Sequence, residues 1–117
     1  MLSRLIAIAF VSIAAVASAA AQPSGYPDKT IKVIVPFAAG GGIDVMARLY
    51  AEKAKDKLGV PIIVENRPGA SATIGGQAVH QSPPDGYTLL FVPITHVMAN
   101  VVLKSVPYDA VNDFTPV

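Results

Sequence analysis

The sequence predicts an α/β fold built on a doubly wound, mostly parallel sheet. Three observations predict it. Short apolar runs rich in β-branched residues alternate with segments of helical periodicity. The first run, Thr30 to Val35 (TIKVIV), is apolar at nearly every position, as suits a strand covered on both faces. The joints between runs carry glycine and proline, the residues that end regular elements.

Taken in order, Thr30 to Val35 is the first strand and Pro36 ends it. Gly42 to Leu58 is a helix, with Met46, Leu49, Tyr50, Ala54 and Leu58 on one apolar face. Gly59 stands where a left-handed C-cap belongs. Pro61 to Glu65 (PIIVE) is the second strand, and Asn66 to Ser71 (NRPGAS) a turn-rich loop. Thr73 to Gln81 is a second helix, weakened by Gly75 and Gly76. Ser82 to Gly86 (SPPDG) is a stop and turn. Tyr87 to Val92 (YTLLFV) is the third strand, and Thr95 to Leu103 a third, short helix. Lys104 to Val117 reads as loop, with a fourth strand starting at Phe114. Strands and helices in this alternation imply right-handed crossovers, and ligands on such sheets bind outside the carboxyl ends of the strands.

Residues 1–21 stand apart. Arg4 is followed by the apolar core Leu5 to Ala17, then by Ala17-Ser18-Ala19 and Ala19-Ala20-Ala21, both small-x-small cleavage sites. This is the layout of a secretory signal peptide, and the core is shorter than the ~20 residues a membrane span needs. Part of the 52% hydrophobic content is therefore leader rather than fold. Gln22 to Asp28 (QPSGYPD) is a polar, mobile lead-in to residues 22–117, a single small domain. With 0 cysteines the chain has no lipid-anchored cysteine, disulfide framework or thiolate metal site. It is expected to be free in an exported compartment.

The net charge is +1, and loss of Arg4 with the leader makes cations and acids equal in number. A basic surplus, which nucleic-acid or anionic-membrane binding would need, is lacking. The mixed charges of Glu52 to Lys57 read as a solvated helix face.

Three segments fall at the carboxyl edge of the sheet. The first, Phe37-Ala38-Ala39-Gly40-Gly41-Gly42 with Asp44, joins a strand to a helix start. The unpaired N–H groups there favour a carboxylate or phosphate, although a glycine turn alone also satisfies the backbone. Asp44 lies in the first helical turn. It stabilises the helix dipole, or orients the glycine loop, and would repel a bare carboxylate. The second segment holds Asn66, Pro68, Gly69, Ala70, Ser71 and Thr73. Ser71 and Thr73 offer hydroxyls as helix caps or ligand contacts, and Arg67 pairs more readily with Glu65 or a surface acid than with a ligand. The third segment, Pro93 to His96, brings Thr95 and His96. His96 has no neighbouring ligand set for a metal, and His80 is expected at the surface of the second helix.

No HExxH, GxSxG or GxxxxGK motif occurs, and no nucleophile–base pair suggests an enzyme. One alternative is an exported dinucleotide-binding oxidoreductase, with Glu65 as the ribose acid. The glycine spacing is GGGxxV, however, with Val45 where the third glycine of GxGxxG is needed.

The ordered set PFxxGGxxD (from Pro36), ENRPGA (from Glu65), PDGYTLL (from Pro84) and PYDxxxDFTPV (from Pro107) resembles the Bug family. These are periplasmic solute-binding receptors of tripartite tricarboxylate transporters, and the resemblance runs from Tyr26 to Val117. It implies a periplasmic-binding-protein-like, Venus-flytrap fold with two α/β lobes. It implies a ligand carboxylate held by the loops after the first and second strands, much of it through backbone groups and water. The implied ligands are small organic acids: di- and tricarboxylates, amino acids or aromatic acids. The implied protein partners are the transporter's membrane subunits. No cofactor is implied. Two departures stand out. Ala70-Ser71-Ala72 replaces the usual Ala-Gly-Gly, and Ala99-Asn100 stands near an expected Asn-Pro pair. The mature chain is also shorter than a typical member. The expectation is the N-terminal part of the first lobe with the second lobe absent, either as a partial sequence or as a truncated, non-functional product.

Overall fold

The structure is a computed structural model that describes residues 25–117. The leader assigned to residues 1–21 lies outside the described residues. Strands β1 (Ile31–Val35), β2 (Ile62–Asn66) and β3 (Thr88–Leu90) form one parallel sheet in the order β2-β1-β3. Helix α1 (Gly42–Leu58) joins β1 to β2, and α2 (Thr73–His80) joins β2 to β3. A 3₁₀ turn, Ile94–Met98, runs into the short helix α3 (Ala99–Val102).

β1 is central because its residues can be buried on both faces. Ile31, Ile34 and Val35 are almost wholly enclosed, and only Lys32 reaches solvent. One face of the sheet carries Val33 and Val35 against Ala47 of α1, with Phe37, Ile43, Ile62, Val64, Leu89 and Phe91 packed around them. The opposite face takes α2, whose Gly75 abuts Pro36. Neighbouring residues of a strand point to opposite faces, so Val35 and Pro36 put one helix on each side and the sheet is doubly wound. After β2 the chain crosses back over β1 to reach β3. This places the topological switch point between β1 and β3, where open α/β sheets bind ligands.

α1 has the expected bounds and the expected left-handed cap, Gly59 (φ 71°), whose N–H donates to the Lys55 carbonyl. Its buried face differs from expectation. Met46, Leu49, Tyr50 and Leu58 are 42–62% exposed, and the sheet is met instead by Ile43, Ala47 and Ala51. Both stripes have helical spacing. The alanine stripe wins because small side chains let the helix backbone come close to the sheet.

Other differences are local. β3 is shorter than Tyr87 to Val92, yet Lys32 N–H donates to Tyr87 O and Phe91 N–H to Ile34 O, extending the pairing at both ends. The third helix begins as a 3₁₀ turn at Ile94. No strand starts at Phe114 among the described residues. Its ring packs edge-on against Tyr108 and His96, both at 5.3 Å. The described part of the lead-in is pinned rather than loose. Tyr26 donates to Gly86 O at 2.6 Å and meets the Tyr87 ring at 5.1 Å, and Asp28 N–H donates to the Tyr87 hydroxyl.

The contact of α2 with the sheet gives a direct test. A Cβ at Gly75 would lie 2.6 Å from Pro36 Cβ and 3.1 Å from the Arg67 carbonyl oxygen. Gly75→Ala is expected to lower unfolding free energy by about 1–2 kcal/mol in urea melts, overpacking outweighing helix propensity. Gly42→Ala, where a Cβ meets nothing within 4 Å, is expected to leave stability unchanged or slightly raised.

Candidate functional site

The first loop leaves β1 at Pro36 and turns at Gly40, whose φ of 84° suits a residue without a side chain. Gly41 is the N-cap of α1, and Val45 N–H is the first to find an intrahelical carbonyl, that of Gly41. The amides of Gly42, Ile43 and Asp44 therefore have no intrahelical acceptor, and the helix dipole points their positive end outward.

Asp44 is the hub of this corner. Its carboxyl is buried (3% exposed) and accepts from Gly40 N–H at 2.8 Å, Arg48 Nε at 3.1 Å and Asn66 Nδ2 at 2.9 Å. Arg48 also donates to Asn66 Oδ1, and Asn66 Nδ2 also reaches the Phe37 carbonyl. The Arg48 guanidinium first, then the Gly40 amide and the Asn66 side chain, hold the Asp44 carboxyl well below its ordinary value of 3.8, at about 2. The glycine loop, the start of α1 and the end of β2 are thus fastened to one ionised group. Asp44 sits in the first turn of α1 and also accepts from the Gly40 amide, so both sequence readings, helix dipole and loop orientation, agree with its place.

The second loop is conformationally costly. Gly69 has φ 126°, and Ala70, Ser71 and Ala72 follow at φ 46°, 54° and 74°. Left-handed backbone costs an L-residue roughly 1–2 kcal/mol. Ser71 does not cap α2, as the sequence suggested it could. The N-cap is Ala72, without a side-chain hydrogen bond, and the Thr73 hydroxyl donates instead to Ala70 O at 2.7 Å. The Ser71 hydroxyl is exposed and has no hydrogen bond among the described residues. Arg67 pairs with Glu65, as expected, and Lys32 joins them at 3.2 Å. Glu65, which a dinucleotide ribose would need, is thereby engaged by two cations.

The third loop places His96 against Tyr108, rings stacked at 5.8 Å. His96 Nε2 is buried without a partner among the described residues, and burial lowers the pKa below its ordinary 6.5, so the ring is neutral at pH 7. His80, exposed as expected, approaches Asp113 at 3.7 Å.

These loops border one cleft of about 440 Å³. Phe37, Ser71, Pro93, Thr95 and His96 line it, at least one from each predicted segment. Ala38, Ala39, Gly40, Gly41, Gly42, Asp44, Asn66, Pro68, Gly69, Ala70 and Thr73 lie outside its lining. The sequence reading missed Ala72 and an apolar floor that includes Met98, Val102, Leu103 and Tyr108. Tyr108 is brought there by Asn100, which donates to Tyr108 O and accepts from Ala110 N–H, both at 2.8 Å. The signal available was the Asp109 turn. Its carboxylate accepts from the Val111 and Asn112 amides, a common behaviour of aspartate that folds this segment back. Among the described residues no cluster of His, Asp and Glu could hold a metal, and no helix is long and apolar enough to cross a membrane.

Residues 46–117 match the family described as Tripartite tricarboxylate transporter family receptor. The chain belongs to this family. A UPF0065 protein of Bordetella bronchiseptica is 44% identical over 99 residues, covering 84% of this chain and 30% of that protein. Protein BugT of Bordetella pertussis is 40% identical over 119 residues, covering 99% and 36%. Among solved structures, MatC from Rhodopseudomonas palustris with bound malate superposes with a TM-score of 0.71 at 38% identity, over 78% of this chain and 31% of that one. R. palustris Rpa4515 with adipate gives 0.67 at 32% identity, over 73% and 29%. The chain spans about a third of the length of these curated relatives. The fold is that of a partial periplasmic-binding-protein domain, as the resemblance implied.

Two consequences can be measured. A carboxyl whose folded pKa is depressed stabilises fully above its unfolded pKa, and that contribution is lost as pH falls through the folded value. The denaturation midpoints of wild type and Asp44→Asn are therefore expected to differ most above pH 3.8 and to converge towards pH 2. Ala72→Gly removes one left-handed L-residue. It is expected to raise unfolding free energy by about 0.5–1 kcal/mol, the relief of backbone strain exceeding the added freedom of the unfolded chain.

Proposed function

We propose that this chain is the N-terminal part of the first lobe of an extracytoplasmic receptor that captures a small carboxylate for a tripartite tricarboxylate transporter. The observation that carries this reading is that unpaired α1 amides stand after β1 in a sheet of order β2-β1-β3, with Asn66 at the head of the second loop bonded to Asp44 and to the Phe37 carbonyl. The amides of Gly42 and Asp44 face the anion, within the loop formed by Phe37, Ala38, Ala39, Gly40 and Gly41. Asn66 and the Asp44 carboxylate hold that loop in place. Pro68, Gly69, Ala70, Ser71 and Thr73 supply the second wall, and Thr95 and His96 the third.

The chemistry agrees with the relatives. MatC was solved with malate and Rpa4515 with adipate, both small carboxylates. The receptor reading makes this a binding protein rather than an enzyme. It is exported by the leader, works in the periplasm and passes its ligand to the transporter's membrane subunits.

The test is an amide-resolved NMR titration of the chain with malate and adipate, using the neutral diamides as controls. The secreted species, weighed intact, is expected to begin after Ala19 or Ala21. Shifts are expected at Gly42, Ile43 and Asp44 and at Ser71 to Thr73, with the acids only. Silent α1 amides, or equal shifts with the diamides, would overturn the carboxylate reading.

A further inference from the structure

The turn between α2 and β3 holds an aspartate unlike the others in the chain. A backbone nitrogen that follows an aspartate or asparagine can close on its side-chain carbonyl carbon. Closure is easiest where the following residue has no side chain, where its N–H is not already donated, and where water reaches the carboxyl group. Asp85 is followed by Gly86 and is exposed. Gly86 N–H has no acceptor among the described residues. Asp85 Oδ1 accepts from Tyr87 N–H at 3.0 Å, which folds the carboxyl group back over the Gly86 peptide. Gly86 turns at φ 81°, a conformation natural to glycine, and its carbonyl accepts from the Tyr26 hydroxyl.

Every other aspartate or asparagine lacks at least one of these features. The amide after Asp44 is donated by Val45 to Gly41 O at 3.0 Å, and the amide after Asp56 lies inside α1. The amide after Asp109 is donated by Ala110 to Asn100 Oδ1 at 2.8 Å. Those after Asn66 and Asn112 are donated to Val35 O and Asp109 O, at 2.8 and 3.1 Å. Asp28, Asn100 and Asp113 are followed by Lys29, Val101 and Phe114, whose side chains crowd the ring that would form.

We infer that Asp85-Gly86 is a site of spontaneous succinimide formation and conversion to isoaspartate. The Gly86 nitrogen attacks Asp85 Cγ. An N–Cγ bond forms, the amide proton passes to solvent, and the Cγ–OH bond breaks with loss of water. Water then adds back to the ring. Addition at Cγ restores aspartate. Addition at the Asp85 main-chain carbonyl carbon leaves the chain running through Cβ and Cγ, with a free α-carboxylate. Nothing is oxidised or reduced, and water is the sole co-reactant.

The product has one more methylene in its main chain at the entry to β3. Tyr87 N–H loses its present acceptor, and the bonds that depend on this turn are strained: Tyr26 to Gly86 O, Asp28 to the Tyr87 hydroxyl, and Lys32 N–H to Tyr87 O. The change therefore loosens the third strand from its amino end. It lies away from the loops at the carboxyl ends of the strands and is independent of the carboxylate reading.

The experiment is to age the purified chain for several weeks at neutral pH. Isoaspartate is then read by methyl transfer with isoaspartyl methyltransferase and located by electron-transfer fragmentation of its peptides. Position 85 is expected to carry more isoaspartate than all other positions together. Asp85→Glu keeps the charge at an exposed position, and it is expected to lower methyl incorporation at least tenfold because its ring is larger. Asp85→Asn, which closes the same ring with ammonia as the leaving group, is expected to raise it at least tenfold. Aged wild type is expected to unfold at lower urea than fresh protein, with aged Asp85→Glu unchanged. Isoaspartate that forms at position 85 in guanidinium but not in the folded chain would overturn the inference, by showing that the turn protects the site. Isoaspartate chiefly at another position would also overturn it. A modified chain with an unaltered urea midpoint would overturn the claimed effect on β3.

Discussion

The buried carboxylate of Asp44 is the constraint on which this edge of the molecule depends. It is ionised, nearly sealed from water, and bonded to the Gly40 amide, the Arg48 guanidinium and the Asn66 side chain. A charge in that position is tolerable only while its hydrogen-bond partners are in place. The requirement runs in both directions. The glycine loop must stay folded to present Gly40 N–H, and β2 must keep its register to present Asn66 beside Val35. An otherwise permissive glycine turn becomes a rigid one. The start of α1 is thereby held in one arrangement.

The second loop achieves definition by another route. Past Arg67, no ion pair holds it among the described residues. Its three left-handed L-residues are held between the Gly69 turn and α2, which is anchored where Gly75 meets Pro36. Strain of this kind persists only where the surroundings over-determine it, and it recurs at binding sites. The Ser71 hydroxyl and the Ala72 methyl stand at the wall of the cleft because the backbone accepts that conformation.

Much of the fold was legible in the sequence, and the reasons are particular. β1 could be read because TIKVIV suits few environments other than a strand covered on both faces. α1 could be read to the residue because Gly41, Gly42 and Gly59 mark its ends. The face it buries could not, because Ala47 and Ala51 carry a weak hydrophobic signal beside Leu49 and Tyr50, and only the closeness of the sheet decides between them. The candidate site was legible only as three loops that border one cleft. Its internal division of labour was not. Asp44 and Arg48 stand at a helical i, i+4 spacing that announces an ion pair, but no local pattern tells that Asn66 joins them from another strand. The apolar floor escaped for a similar reason. Tyr108 reaches it only through the Asn100 clamp and the Asp109 turn, contacts that depend on the chain folding back.

The central place of β1 also bears on how the chain is made. The first strand to leave the ribosome is the one that must lie in the middle, and both of its partners come later. Neither can be joined by a tight hairpin, because the pairs are parallel and each connection carries a helix. Until Thr88 to Leu90 has been synthesised, β1 lacks one of its two neighbours and the sheet cannot close around it. Contacts so distant along the chain form slowly, since the loops between them must be ordered first. A nascent chain with this topology therefore keeps one edge of β1 unpaired until its third strand has been made.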